Sequence, residues 1–141
     1  TSIDSIFSQF SEPIAAASIA QVHFAKIKSS NTEIDVAVKV LRPEIEKIIN
    51  QEMERLEWLT TFMENFTEFQ RLRPNSIIKK AKEVIKFELD LRYEAAAASE
   101  LSENTNMDES FYVPKVYWDK VTQKILTMEK LLVFLQIKLM S

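Results

Sequence analysis

The 141 residues contain no glycine. At a typical usage of about 7%, a chain of this length would carry roughly ten. Glycine is the residue that enters left-handed backbone freely, so every turn needing positive φ must here use Asn, Asp or a strained residue. A backbone cradle for phosphate normally relies on glycine for close approach. The chain therefore holds no glycine-rich loop, no Walker sequence and no Asp-Phe-Gly.

Other compositional facts narrow the function classes. Apolar residues make up 46%, enough to fill a core, so disorder is not expected. By length the chain reads as one domain. There is no cysteine, which excludes disulfides, thiolate zinc sites and cysteine nucleophiles. The net charge of −3 provides no broad basic field, so no nucleic-acid partner is expected. No signal peptide is legible. The longest apolar run, Leu131 to Leu135, is far short of the ~20 residues that span a bilayer. The chain reads as cytoplasmic, or peripheral to a membrane at most.

Periodicity divides the chain. Ile3, Ile6, Phe7 and Phe10 fall at helical spacing, predicting a helix over 1–12 that Pro13 ends. Pro43, Glu44 and Glu46 suit the start of a second helix, whose stripe of Ile45, Ile48, Ile49, Met53, Leu56, Leu59 and Met63 runs to about Asn65. After a break at Arg73-Pro74, Asn75 or Ser76 is placed to cap a third helix running on to about Glu103. Phe111 to Asp119 and Lys124 to Glu129 predict a hairpin, with Pro114 at an edge or strand start. Helix, two strands, two helices, two strands makes an α+β domain with a small antiparallel sheet.

The informative stretch runs from Pro13 to Arg42. Ala15, Ala16, Ala17 and Ser18 form a small-residue loop. Ile19 to Ile27 follows as an imperfectly alternating strand, then the turn formers Ser29 to Thr32. Ile34 to Leu41 is β-branched and interrupted by Lys39, on the opposite face from Val38 and Val40. An ammonium in a strand that reads as buried needs an anion. A strand lysine beneath a loop-capped strand pair is how protein kinases hold ATP phosphates, and Val36-Ala37-Val38-Lys39 fits the V-A-I-K pattern. Read on these four residues alone, Lys39 is equally an edge lysine facing water.

Together, PIAAASIAQVH, VAVKVLRP, ELDLRYEAAAASEL and FYVPKVYWD resemble the UbiB (ADCK-type) family of atypical kinase-like proteins, over roughly Phe7 to Glu129. The resemblance implies the small N-terminal lobe of a kinase-like fold over 1–130, followed by a divergent apolar tail, 131–141. It implies ATP as the cofactor, with Ala15, Ala16, Ala17 and Ser18 standing where ordinary kinases have a glycine-rich loop. Ala37 and Lys39 would line the nucleotide, Met128 would be the gatekeeper and Glu129 would open the hinge. Ser18 either donates to phosphate or closes its own turn. Glu88-Leu89-Asp90 matches the family's Glu-x-Asp motif, and Glu88 becomes the expected partner of Lys39. Without the resemblance, Glu88 is an i,i+4 partner for Arg92. On a continuous helix Asp90 would lie about 200° round from Glu88, so the two could not serve one cation together. Glu94 is the alternative carboxylate. His23, the only histidine, reads as a structural hydrogen-bonder, since a lone His without cysteine makes a poor metal site.

Phosphoryl transfer also needs a positioning Asp and Mg²⁺ ligands. No Asp-x-His-Pro and no Asp-Phe-Gly occur, and the family's Lys-x-Gly-Gln segment is absent. The expectation is an ATP-binding lobe, linked by resemblance to ubiquinone biosynthesis, that is not catalytic alone. Its missing second lobe, ubiquinone-biosynthesis proteins or a membrane surface would be its partners. The alternatives are a non-catalytic interaction domain or a decayed gene product.

Overall fold

The computed structural model describes residues 6–29, 32–107, 110 and 112–131. The chain divides into two compact units, residues 1–41 with 90–141 and residues 42–89.

The first unit is a four-stranded antiparallel sheet in the order β1 (Gln9–Ala16), β2 (Ala20–Ser29), β3 (Thr32–Leu41), β4 (Ile125–Glu129), with α4 (Leu91–Asn104). β1 replaces the C-terminal part of the helix expected over 1–12, and residues 1–5 lie outside the described residues. Phe7 joins Ala25, Ile27, Val36 and Val38 in the core, with Phe10, Ile34, Val40, Tyr117 and Ile125 against it. The pairing of β1 with β2 is irregular on both sides of Pro13, as a residue without an N–H requires. β2 and β3 run in unbroken register from Ala20↔Leu41 to Ser29↔Thr32.

The hairpin expected over 111–129 is present in reduced form. Only β4 is a regular strand, but Val116 bridges Met128, and Tyr117 N donates to Thr127 O at 3.0 Å. Trp118–Lys120 is a single 3₁₀ turn.

The second unit is helical: α1 (Ile45–Met63), the single turn α2 (Thr67–Gln70) and α3 (Pro74–Glu88). The cost of having no glycine appears here. Among the described residues, positive φ occurs at Glu44 (61°) and Arg73 (45°), each the N-cap of a long helix. Glu44 thus stands outside α1, and Pro43 precedes the cap instead of occupying the first turn. α3 starts with Pro74 at its first position. Asn75 does not cap it. Its amide side chain instead accepts from Thr60 Oγ1 at 2.5 Å and donates to Glu64 Oε2 at 2.7 Å, tying the end of α1 to the start of α3. Lys82 and Glu57 pair at 2.6 Å lower down. On α1, Trp58 and Phe62 stack at 6.3 Å, and Phe66 meets Phe62 edge-on. All three rings are at least half exposed. Among the described residues no helix is long and apolar enough to cross a membrane.

The third helix of the sequence reading is two helices. α3 stops at Glu88 and α4 restarts at Leu91, because Asp90 is an N-cap whose carboxylate accepts from Arg92 N at 3.1 Å.

Candidate functional site

Strand alternation sorts β3 into two faces. Val36 and Val38 are wholly buried in the core, and Ala37 and Lys39 take the opposite face. Register then assembles that face across the sheet. Phe24 and Met128 flank Ala37, and Val22 and Leu126 flank Lys39. Leu126 is fully buried and Ala37 nearly so. The outcome is a small apolar surface of Val22, Phe24, Ala37, Leu126 and Met128, with the Lys39 ammonium set among them.

That ammonium has a partner. Lys39 Nζ lies 2.6 Å from Glu94 Oε2, with the two side chains 33% and 46% exposed. A pair this open to water is worth about 0–1 kcal/mol to the fold. Its consequence is positional: the lysine head is held over the apolar surface.

Glu94 is placed by the start of α4. Asp90 receives both the Arg92 backbone amide and its guanidinium, Nε at 2.9 Å and Nη2 at 2.6 Å. Those hydrogen bonds hold the Asp90 carboxyl below the usual carboxylate range. Leu91 N donates to Gln123 O at 2.9 Å, tying the first residue of α4 to the approach to β4. Leu91 and Ala95, one turn apart, are buried and seat the helix. Glu94 lies between them in sequence, in the first turn.

Three expectations change. The carboxylate that meets Lys39 is Glu94, the alternative, whereas Glu88 is the last residue of α3 in the helical unit. Arg92 pairs with Asp90 and not Glu88. The angle between Glu88 and Asp90 assumed a continuous helix, which the break at Leu89-Asp90 removes.

The alanine loop lies at the β1–β2 connection. Ala15 and Ala16 end β1, and the turn closes through Ala17 N to Ala20 O at 2.9 Å. No residue of this turn has positive φ, so glycine is not needed to make it. Ser18 is exposed, and its hydroxyl makes no hydrogen bond to the described residues. His23 is structural in its contacts: Nδ1 lies 2.9 Å from Ser11 O, and its ring packs at 4.6 Å on Phe10.

At the end of β4, Thr127 is buried and Met128 faces the Lys39 side. Glu129 N donates to Lys115 O at 2.8 Å. Its carboxylate accepts from the Tyr112 hydroxyl and, at 3.3 Å, from Lys115 N. This bond raises the Tyr112 phenol above its ordinary value, and burial does the same for Tyr117. Lys130 Nζ sits 4.3 Å over the Phe24 ring and 4.0 Å from Asp35. Sequence reasoning did not single out Val22, Phe24, Leu126 or Tyr112. For Val22 and Leu126 the signal is their register opposite Lys39, and for Leu126 that register joins strands far apart in sequence.

Comparison with known proteins follows the same line. The family model described as ABC1 atypical kinase-like domain matches residues 1–133. Proteins named "Probable protein kinase UbiB" from Pseudomonas paraeruginosa, Pseudomonas entomophila and Pseudomonas fluorescens are each 40% identical over 131 residues, 92% of this chain and 24% of theirs. The chain thus spans about a quarter of the length of the curated relatives it matches.

Proposed function

The chain belongs to the ABC1 atypical kinase-like family, and we propose that it forms the nucleotide-holding lobe of such a protein, with ATP as the nucleotide. The observation that carries this reading is the Lys39–Glu94 pair, poised on the apolar face made by Val22, Ala37, Leu126 and Met128. A small residue at Ala37 leaves room for a flat base, and Met128 bounds that room. Lys39, steadied by Glu94, offers a fixed positive charge to the phosphates. The turn around Ala17 and the free Ser18 hydroxyl would cover them, with alanine permitting fewer loop conformations than glycine. Glu129 opens the segment whose backbone would meet the base edge. Glu88 and Asp90 form the family's Glu-x-Asp pattern at the junction between α3 and α4.

ATP would supply the phosphate anions that answer Lys39. Phosphoryl transfer requires a positioning Asp and Mg²⁺ ligands in sequence motifs this chain does not contain. By itself the chain therefore binds nucleotide without transferring phosphate, and a second lobe completes the cleft. The UbiB in its relatives' names suggests a link to ubiquinone biosynthesis for the whole protein, and we propose that it works there at a membrane surface.

The test is thermal unfolding with Mg·ATP. At ten times Kd the nucleotide stabilises the fold by about 1.4 kcal/mol. Lys39→Ala abolishes the shift. Unchanged melting of the parent chain at millimolar Mg·ATP refutes nucleotide binding.

A second reading has its own observation. Trp58, Phe62 and Phe66 form a ring ladder at least half exposed on the helical unit. Exposed apolar patches of this kind mark contacts with other molecules. This supports an interaction role alongside the nucleotide site.

A further inference from the structure

Between α4 and the segment that bridges β4 lies an open groove of about 390 Å³, whose lining shares no residue with Val22, Ala37, Lys39, Leu126 or Met128. It is lined by Ser99, Ser102 and Glu103 of α4, by the extended segment Tyr112–Val116, and by Glu129. A volume above about 300 Å³ is in the range of small-molecule sites.

Its lining is chemically lopsided. Val113, Pro114 and Val116 provide an apolar wall. The polar groups are mostly acceptors with capacity to spare. Ser99 Oγ accepts from Trp118 Nε1 at 3.1 Å, so the serine is oriented from outside the cavity. Among the described residues, both hydrogen bonds to the Glu129 carboxylate, from Tyr112 Oη and Lys115 N, fall on Oε2, leaving Oε1 open. The Glu103 carboxylate has no partner among the described residues. The one cation of the lining, Lys115, has its Nζ 5.8 Å from the Tyr117 ring centroid. Two carboxylates against one ammonium leave the cavity net negative.

We infer that this cavity is a binding site for a small organic ammonium ion, an amine with a compact apolar body. The apolar part lies on Val113, Pro114 and Val116, and the ammonium is shared between Glu103 and Glu129 Oε1. Ser102 completes the donor's surroundings. The site is distinct from the Lys39 face, and its existence does not depend on nucleotide binding. It touches both elements that build that face, since α4 carries Glu94 and β4 carries Met128.

The probe is phenethylamine, with 2-phenylethanol as its uncharged counterpart, titrated into the 141-residue chain by calorimetry and by amide chemical-shift mapping. The expected result is saturable binding with Kd on the order of 1 mM or tighter, and at least about tenfold weaker binding of the alcohol. Shifts should centre on Ser99, Ser102 and Val113 to Val116. Glu103→Gln, on an exposed helix surface, should weaken the amine by about tenfold and leave the alcohol unchanged. Ser102→Phe, which fills the cavity from its rim, should remove both. Equal affinity for amine and alcohol, unaltered amine binding in Glu103→Gln, or shifts centred elsewhere would each overturn the inference, as would an absence of saturation.

Discussion

Lys39 on β3 and Glu94 on α4, 55 residues apart in sequence, meet at 2.6 Å on the face of the sheet opposite its main core. Because both side chains are a third to a half exposed, the pair adds little to stability. It concerns where a charge is held.

If Glu94 orients Lys39 toward phosphate, Glu94→Gln weakens Mg·ATP binding by about tenfold, the loss of one charge-assisted contact. Glu88→Gln, at the end of the helical unit, changes it less than about twofold. Calorimetric titration of both variants decides. Equal losses would return the role to Glu88.

Asp90 leads to a prediction in pH. Its folded-state pKa is depressed by the Arg92 hydrogen bonds, so its contribution is fully present above the unfolded value near 3.9. That contribution fades as pH falls toward the lower folded value. Asp90→Asn should melt below the parent at neutral pH, and the gap should narrow steadily as the buffer is taken from about pH 5 downward. A gap constant with pH would show that the cap hydrogen bond, and not the charge, carries the effect.

The two left-handed residues can be relieved. A non-glycine residue in this conformation costs about 1–2 kcal/mol, and glycine returns about 0.5–1 kcal/mol of that as unfolded-chain entropy. Glu44→Gly and Arg73→Gly should each raise stability by up to about 1 kcal/mol. Glu46→Gly, inside the first turn of α1, should lower it by about 0.5–1 kcal/mol. Urea unfolding of the three variants measures this. Destabilisation by both cap variants would mean the Glu44 and Arg73 side chains contribute contacts that outweigh their backbone cost.

Tyr112 should ionise later than an ordinary tyrosine, because its hydroxyl donates to Glu129. The neutral phenol is the form the fold favours, so this contribution is intact below about pH 10 and lost above it. Absorbance titration of Glu129→Gln should bring the Tyr112 transition down toward its normal value. Tyr117, raised chiefly by burial, should move less.

Much of the sheet was legible from local pattern. The β-branched run from Ile34 to Val40 and the turn formers before it predict β2 and β3 to within two residues at each end, because alternation is a local property. The first strand was not. Ile3, Ile6, Phe7 and Phe10 have helical spacing, yet Gln9–Ala16 pairs with β2, since an edge position beside an existing strand outweighs a weak period. The break between α3 and α4 was concealed by apolar residues that continue through it. Asp90 was its signal, a capping residue read only as part of the Glu-x-Asp motif.

From its residues alone, this chain determined which strand carries the lysine, which face the lysine takes, and that its turns must do without glycine. Those follow from stereochemistry within a few residues. Which carboxylate meets the lysine was decided only by tertiary structure. That choice depends on where α4 begins and how it packs beside β4 with Leu91 and Ala95 buried. A shift of that start by one residue would turn Glu94 by about 100° and part the pair.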